Sequence, residues 1–284
     1  MARRLGVHTS IAGGLHLSLE RANALGCSTM QIFSHSPRVW AIKKISQQDV
    51  LLFKSLRIKF DISPVYVHTS YLINIASGNE LLKRKSLDLL AKEMDRADEI
   101  GADYVVLHTG SASSGEQRSP MKRAISALNE VAEIKNWKAG LLLENTAGER
   151  GDISSTIPEM AKILGGVKNS LVSGICLDTC HAFAAGYDIR KGSGLRRIAD
   201  EIEQYIGFEK VRLIHLNDSK GMSGSRVDRH EHIGSGQIGE KGLGRFISYR
   251  RLHDVPLILE TPKKNESDDP ANLAKVRRML GMKQ

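Results

Sequence analysis

Cysteine is scarce in this sequence. Its three cysteines, Cys27, Cys176 and Cys180, are an odd number and form no C-x-x-C pair, which argues against a disulfide framework and fits a reducing cytosol. No stretch approaches the roughly 18 consecutive apolar residues that a membrane span needs. Arg3 and Arg4 stand where an export signal carries its charge, but His8, Thr9 and Ser10 interrupt any apolar segment behind them. No targeting segment is therefore expected, and the expected location is cytoplasmic. Low-complexity tracts, long like-charge blocks and Pro- or Ser-rich linkers are also missing. The expectation is one domain spanning residues 1–284.

What the chain does have is basic charge: 41 Lys and Arg against 32 Asp and Glu, a net charge of +9. Such a balance attracts polyanions, although charge alone does not separate a nucleic-acid enzyme from an ordinary basic protein. The second abundant feature is alternation. Short apolar runs lie at 5–8, 29–33, 64–67, 103–107, 140–143, 173–177, 211–216 and 256–259. Continuous runs of this kind mark strands buried on both faces. Amphipathic stretches separate them, at 12–25, 47–60, 80–100, 121–134, 156–164, 195–206, 239–249 and 271–282. Eight strands alternating with eight helices predict an α/β fold, a single (β/α)8 TIM barrel; a doubly wound open sheet is the rival.

In such a barrel the chemistry collects where strands end. Those positions carry His8, His68, His108, Glu144, Asp178, His215 and Glu260, with nothing comparable after Phe33. Buried runs such as Tyr-Val-Val-Leu-His108 and Leu-Leu-Leu-Glu144 should not end in ionisable groups without partners, because desolvating a lone charge is costly. Two clusters extend the set: Asp178-Thr-Cys-His181 and Asp228-Arg-His230, the latter with both side chains on one side of any extended segment. Imidazole mixed with carboxylate suits zinc, manganese or iron. A single site takes three or four protein ligands, so the nine candidates other than His8 imply two or three metals with bridging carboxylates. A lone histidine after a strand is more often a satisfied polar residue than a ligand, so the reading depends on convergence of the whole set. Cys176 and Cys180 read as buried structural thiols, and His16, His35, His232 and His253 as residues outside the ligand set.

Gly234-Ser-Gly236-Gln-Ile-Gly239 matches the dinucleotide fingerprint, but no apolar strand precedes it and it lies late in the chain. It reads instead as a tight loop beside the metal residues, and no nucleotide cofactor is expected.

The longer segments around these residues resemble a known family. Val-His68-Thr-Ser-Tyr-Leu-Ile-Asn, Leu-Glu144-Asn-Thr-Ala-Gly, Leu-Asp178-Thr-Cys-His181-Ala-Phe-Ala-Ala-Gly-Tyr-Asp, His215-Leu-Asn-Asp-Ser-Lys, Gly-Ser-Arg-Val-Asp228-Arg-His230 and Leu-Glu260-Thr-Pro are similar to endonuclease IV, the zinc-dependent apurinic/apyrimidinic (AP) endonuclease family. The likeness runs from Gly6 almost to the C-terminus. It implies a TIM barrel with three zinc ions at the C-terminal ends of the strands, acting on double-stranded DNA that contains abasic sites. By that resemblance His68 and His108 hold one zinc, and Glu144 bridges it to a second held by Asp178, His215 and Glu260. His181, Asp228 and His230 hold the third. Arg38, Tyr71 and Leu72 match residues that the family wedges into the duplex while it turns the abasic nucleotide outward. Thr69, Thr109 and Ser235 depart from residues common in the family without removing a ligand.

The activity implied by the resemblance is that of a deoxyribonuclease IV-type phosphodiester hydrolase in base excision repair. Zinc-activated hydroxide would attack the phosphodiester 5′ of the abasic site and leave 3′-hydroxyl and 5′-deoxyribose phosphate ends. Glu144 is the expected catalytic residue, and a monomer is the expected form. A sugar isomerase-like barrel with two metals is the alternative enzyme, and a basic DNA-binding module with structural zinc the non-enzymatic one.

Overall fold

The computed structural model describes residues 3–112, 119–168 and 170–282. The apolar runs form strands β1 (Leu5–Thr9), β2 (Met30–Phe33), β3 (Val65–His68), β4 (Tyr104–His108), β5 (Gly140–Glu144), β6 (Val172–Asp178) and β7 (Val211–His215). Two short strands, β8 (Asp218–Ser219) and β9 (His230–Glu231), follow before β10 (Leu257–Leu259). Eight of these close a parallel barrel in the order β1-β10-β7-β6-β5-β4-β3-β2, while β8 and β9 pair apart from it. The expected TIM barrel is the fold, and the open-sheet rival is excluded by closure.

The helices are α1 (Leu15–Ala24), α2 (Gln47–Lys59), α3 (Glu80–Ile100), α4 (Pro120–Ala132), α5 (Ile157–Gly166), α6 (Thr179–Ala184), α7 (Gly192–Tyr205), α8 (Gly239–Ile247) and α9 (Asp268–Met279). Local chemistry starts and stops them. Ser46 accepts from the Asp49 amide to cap α2, and Thr156 and Glu159 form a reciprocal capping box on α5. Helix α3 ends at Gly101, whose φ of 73° lies in the left-handed region that favours glycine. Helix α6 is not among the amphipathic stretches read from the sequence: the segment after Asp178 is helical at once. Among the described residues, no helix is long and apolar enough to cross a membrane.

The core has two compartments. A large one lies between the sheet and the surrounding helices and includes Val67, Leu90, Val105, Leu143, Ile175 and Phe246. A small one fills the barrel interior with Tyr66, Val106, Leu142, Cys176, Leu213 and Ile258. Successive side chains of a strand point to opposite faces, so residues two apart share a face. Two residues beyond each interior residue stand His68, His108, Glu144, Asp178, His215 and Glu260. Strand parity thus stacks a polar layer directly on an apolar plug.

Candidate metal centre

Register sets the first contacts. Adjacent parallel strands align His108 with Glu144 and Asp178 with His215. Glu144, completely buried, sits at the middle. Its Oε2 lies 3.2 Å from His68 Nε2 and 3.0 Å from His108 Nε2. Its Oε1 lies 3.0 Å from His215 Nδ1 and 3.3 Å from His181 Nδ1. Glu260 Oε2 approaches His215 Nδ1 to 3.2 Å, and Asp178 Oδ2 stands 4.0 Å from the same nitrogen.

The third group is built by loops. Asp178 caps α6, with Oδ1 accepting from the His181 amide at 2.8 Å. The first helical turn then brings His181 round toward the same side. Strand β9 places His230 opposite it, through antiparallel pairing of Ser219 with His230. Asp228 Oδ1 lies 3.2 Å from His181 Nε2 and 3.4 Å from His230 Nε2.

Four of the five imidazoles are oriented in the same manner. Nδ1 of His68 faces the Thr69 carbonyl at 2.8 Å, Nδ1 of His181 the Asn145 carbonyl at 2.9 Å, and Nδ1 of His230 the Glu260 carbonyl at 3.0 Å. Nε2 of His215 faces Gln31 Oε1 at 2.8 Å. An oxygen that only accepts requires the proton on that nitrogen, so the opposite nitrogen, which faces the carboxylates, is the one left to give its lone pair to a metal. This is how metal-ligating imidazoles are held. Nε2 of His181 and of His230 are buried and make no hydrogen bond among the described residues. Such nitrogens aimed at a carboxylate fit a cation between them.

Among the described residues, ligand atoms lie within 4.8 Å of one another in three overlapping sets of histidine and carboxylate (His68, His108 and Glu144; Glu144, Asp178, His215 and Glu260; Asp178, His181 and His230) and in two that include a cysteine (Glu144, Cys176 and His215; Cys180, Asp228 and His230). Burial opposes charge throughout this cluster, yet opposite charges outweigh it. The Glu144 carboxyl is held well below the usual range by His108 and His215, and Glu260 by His215 and His8. Burial raises Asp228 as well, but His181 beside it brings the carboxyl down to about 2. Burial also opposes a charged His181, but Asp178, Asp228 and Glu144 hold its pKa well above the ordinary value.

One member of the site escapes the sequence expectation: Gln31. It is buried, donates from Nε2 to Glu260 Oε1 at 2.6 Å, and holds His215 through its other amide atom. A glutamine inside the apolar run Met-Gln-Ile-Phe is the signal for it. His8 Nδ1 stands 3.0 Å from the same Gln31 nitrogen and 3.6 Å from Glu260, and burial pushes its pKa down. Cys176 and Cys180 are buried free thiols, each pushed up to about 12 by burial, so neither is disposed to ligate as thiolate.

The glycine-rich loop has an occupant of its own. The buried Asp218 carboxylate accepts from the amides of Gly234 (3.0 Å), Gly236 (3.1 Å) and Ile238 (2.9 Å), and Gly239 also donates. A Cβ on Gly236 would fall 2.4 Å from the Ser219 carbonyl, so this close wrapping requires glycine. The loop therefore holds β8, whose Ser219 pairs with His230 of β9.

A cleft of about 1000 Å³ opens above the cluster, lined by His68, His108, His181, His230, Asp228 and Glu260. Tyr71 rises at its rim, 67% exposed, with its ring edge-on to Phe33 at 5.1 Å. Leu72 beside it is half-buried, and Arg38 is exposed on the loop after β2, outside the cleft lining. Thr109 is buried against Ser154 at 2.8 Å, whereas Ser235 is exposed on the glycine loop.

A family model described as a xylose isomerase-like TIM barrel matches residues 19–281. A protein of Halothermothrix orenii named probable endonuclease 4 is 44% identical over 97% of this chain and 99% of its own length. The chain belongs to the endonuclease IV family. A second probable endonuclease 4, from Methanosphaerula palustris, is 41% identical over 97% of this chain and 98% of its own. The crystal structure of endonuclease IV from Thermus thermophilus superposes with a TM-score of 0.87 at 37% identity, covering 98% of this chain and 99% of that one. A D-tagatose 3-epimerase-like protein shares the fold, with a TM-score of 0.74 at 20% identity over 98% of this chain and 97% of that one. Barrel shape therefore does not separate nuclease from sugar-converting enzyme; the endonuclease IV relatives do.

Proposed function

We propose that this endonuclease IV family member is a DNA repair enzyme that cleaves the phosphodiester 5′ to abasic sites in double-stranded DNA. The observation that carries the reading is a chain of three ligand sets, two sharing Glu144 and the third joined through Asp178, with four imidazoles already turned by fixed acceptors. His68 and His108 would hold one zinc and Glu144 would bridge it to a second, completed by Asp178, His215 and Glu260. His181, Asp228 and His230 would hold a third. Zinc bound there supplies positive charge for the phosphate and a water nucleophile available near neutral pH.

The chain's own residues do the rest. Glu144 keeps the ligand sets in one cluster and balances their charge, which makes it the residue on which the chemistry depends. Cleavage of the P–O3′ bond leaves a 3′-hydroxyl on one side and a 5′-deoxyribose phosphate on the other. Tyr71 stands at the rim where a duplex would meet the cleft, with Leu72 next to it and Arg38 on the preceding loop. An enzyme that needs a stacked nucleotide must extrude it and fill the gap. The basic net charge favours approach to the polyanion. We further propose that the whole chain acts as one catalytic domain, as a monomer, in the cytoplasm.

An incision assay on duplex DNA with one abasic site, paired with zinc analysis, tests the reading. Incision 5′ to the site with three zinc ions per chain is the expected result. Two metals and no incision would favour a sugar isomerase-like activity.

A further inference from the structure

Helix α3 carries two charged side chains into the protein interior. Glu93 and Arg96, three residues apart on one face, are both buried. Buried ionisable groups are costly unless bonded, and both are bonded to loops outside their own helix. The Glu93 carboxyl accepts from His35 Nε2 at 2.6 Å and from the Ser70 amide at 3.0 and 3.3 Å. Arg96 donates to the Ser34 carbonyl at 3.0 Å and to the Lys43 carbonyl. Ser70 Oγ completes the circuit by donating to the Pro37 carbonyl at 2.7 Å.

These contacts have a common geometry. The loop after β2 is tied at 34, 35, 37 and 43, on both sides of Arg38. The loop after β3 is tied at Ser70, immediately before Tyr71 and Leu72. Arg38 and Tyr71 stay exposed at the tips while their anchors are fixed to one helix. A group that must enter a duplex gains from a base already ordered, because ordering a loop on binding costs affinity.

We propose that Glu93 is a positioning residue: with Arg96 it holds the two DNA-facing loops in one relative geometry, so that Arg38 and Tyr71 meet the duplex together. This rests on the assignment of those two residues to DNA made above. Glu93 neither contacts the metal ligands nor lines the cleft, so its effect passes through the loops.

Glu93→Gln is the test, read by amide hydrogen exchange, duplex binding and kinetics. The expected result is faster exchange at Ser70 and across residues 34–43, by about tenfold. Duplex affinity falls by about tenfold, with the zinc content unchanged and KM raised more than kcat is lowered. Unchanged exchange at Ser70, or faster exchange with duplex affinity intact, overturns the proposal. Ser70→Ala guards against a variant that does not fold. It keeps the amide on Glu93 and removes the Oγ bonds to the Pro37 carbonyl and from the Leu72 amide, so a loss of about threefold in affinity is expected; no loss overturns the proposal. If the unaltered protein leaves abasic DNA uncut, yet Glu93→Gln loosens both loops and weakens duplex binding, the nuclease reading falls and the positioning role stands.

Discussion

Two layers of the same barrel interior, two residues apart on the same strands, have opposite character. The lower layer, Tyr66, Val106, Leu142, Cys176, Leu213 and Ile258, is buried and packed on itself. The upper layer, His68, His108, Glu144, Asp178, His215 and Glu260, is buried apart from the partly exposed His108 and Glu260, yet entirely ionisable. The lower layer needs only volume and gains from removal of apolar surface from water. The upper layer must satisfy each charge with another, and any charge left alone destabilises it. A barrel can carry such a layer because the strands below it are already closed and filled.

Substitutions at Leu142 and Glu144 would draw this contrast most sharply. Glu144→Gln is expected to keep the fold and lower incision by more than about a hundredfold, since it removes the charge shared by the ligand sets. Leu142→Ala should do the reverse: a stability loss of about 2–5 kcal/mol with zinc content retained. Incision by Glu144→Gln within about tenfold of the parent at equal zinc would remove the proposed role. Kinetics and denaturant unfolding on both variants measure this.

His230→Ala should next remove about one zinc of three, because one lost ligand from three leaves a weak site. Elemental analysis still reading three would dissociate this loop-built group from the metal. Gln31→Leu puts an apolar side chain on β2 at the position that pairs in register with Tyr66 of the dry layer. It strips His215 and Glu260 of their amide partner, and zinc affinity should fall by about 10–100-fold. Zinc competition with a chelator reads this directly, and unchanged affinity would make Gln31 a packing residue only.

The smallest effect concerns pH. Burial opposes charge on His68, His181 and His215, but the surrounding carboxylates, with Cys176 foremost at His215, hold all three pKa values above 6.5 in the metal-free chain. Their stabilising contribution is complete below pH 6.5 and is lost as pH rises through the raised values. Glu144 and Glu260 lie well below 4.5, so their contribution is complete above that pH and is lost as pH falls. Zinc-stripped protein should therefore have its highest Tm between these limits and lose about 4 °C or less on the alkaline side. Added zinc should flatten that loss, since the metal replaces protons between nitrogen and oxygen. A metal-free Tm that climbs steadily toward about pH 9 would show that the imidazoles are not held protonated.

The candidate site is legible in the sequence to different depths. The strand-end residues stand out because an ionisable group ending a buried run conflicts with its neighbours. Gln31 escapes because it is uncharged and sits within a run rather than at its end. Helix α6 escapes because six residues are too few to display helical periodicity. The Gly234–Gly239 segment reads as a tight loop, but its binding partner Asp218 lies 16 residues upstream of Gly234, beyond any local pattern. Glu93 and Arg96 look like ordinary surface charges in the polar sequence of α3, and only packing distinguishes them from their exposed neighbours.

Strand parity, apolar runs, caps and turn glycines act over a few residues, so the sequence by itself determined the eight-fold alternation and the polar end of each strand. Closure of the barrel, the convergence of those ends on Glu144, and the anchoring of two loops on one helix depend on contacts between residues tens to hundreds of positions apart. Those distances are bridged only when the chain is folded, because the free energy that brings such groups together comes from burying the core beneath them. The tertiary structure alone therefore decided which charges are paired, which nitrogens face a carboxylate, and which side chains stand free at the rim.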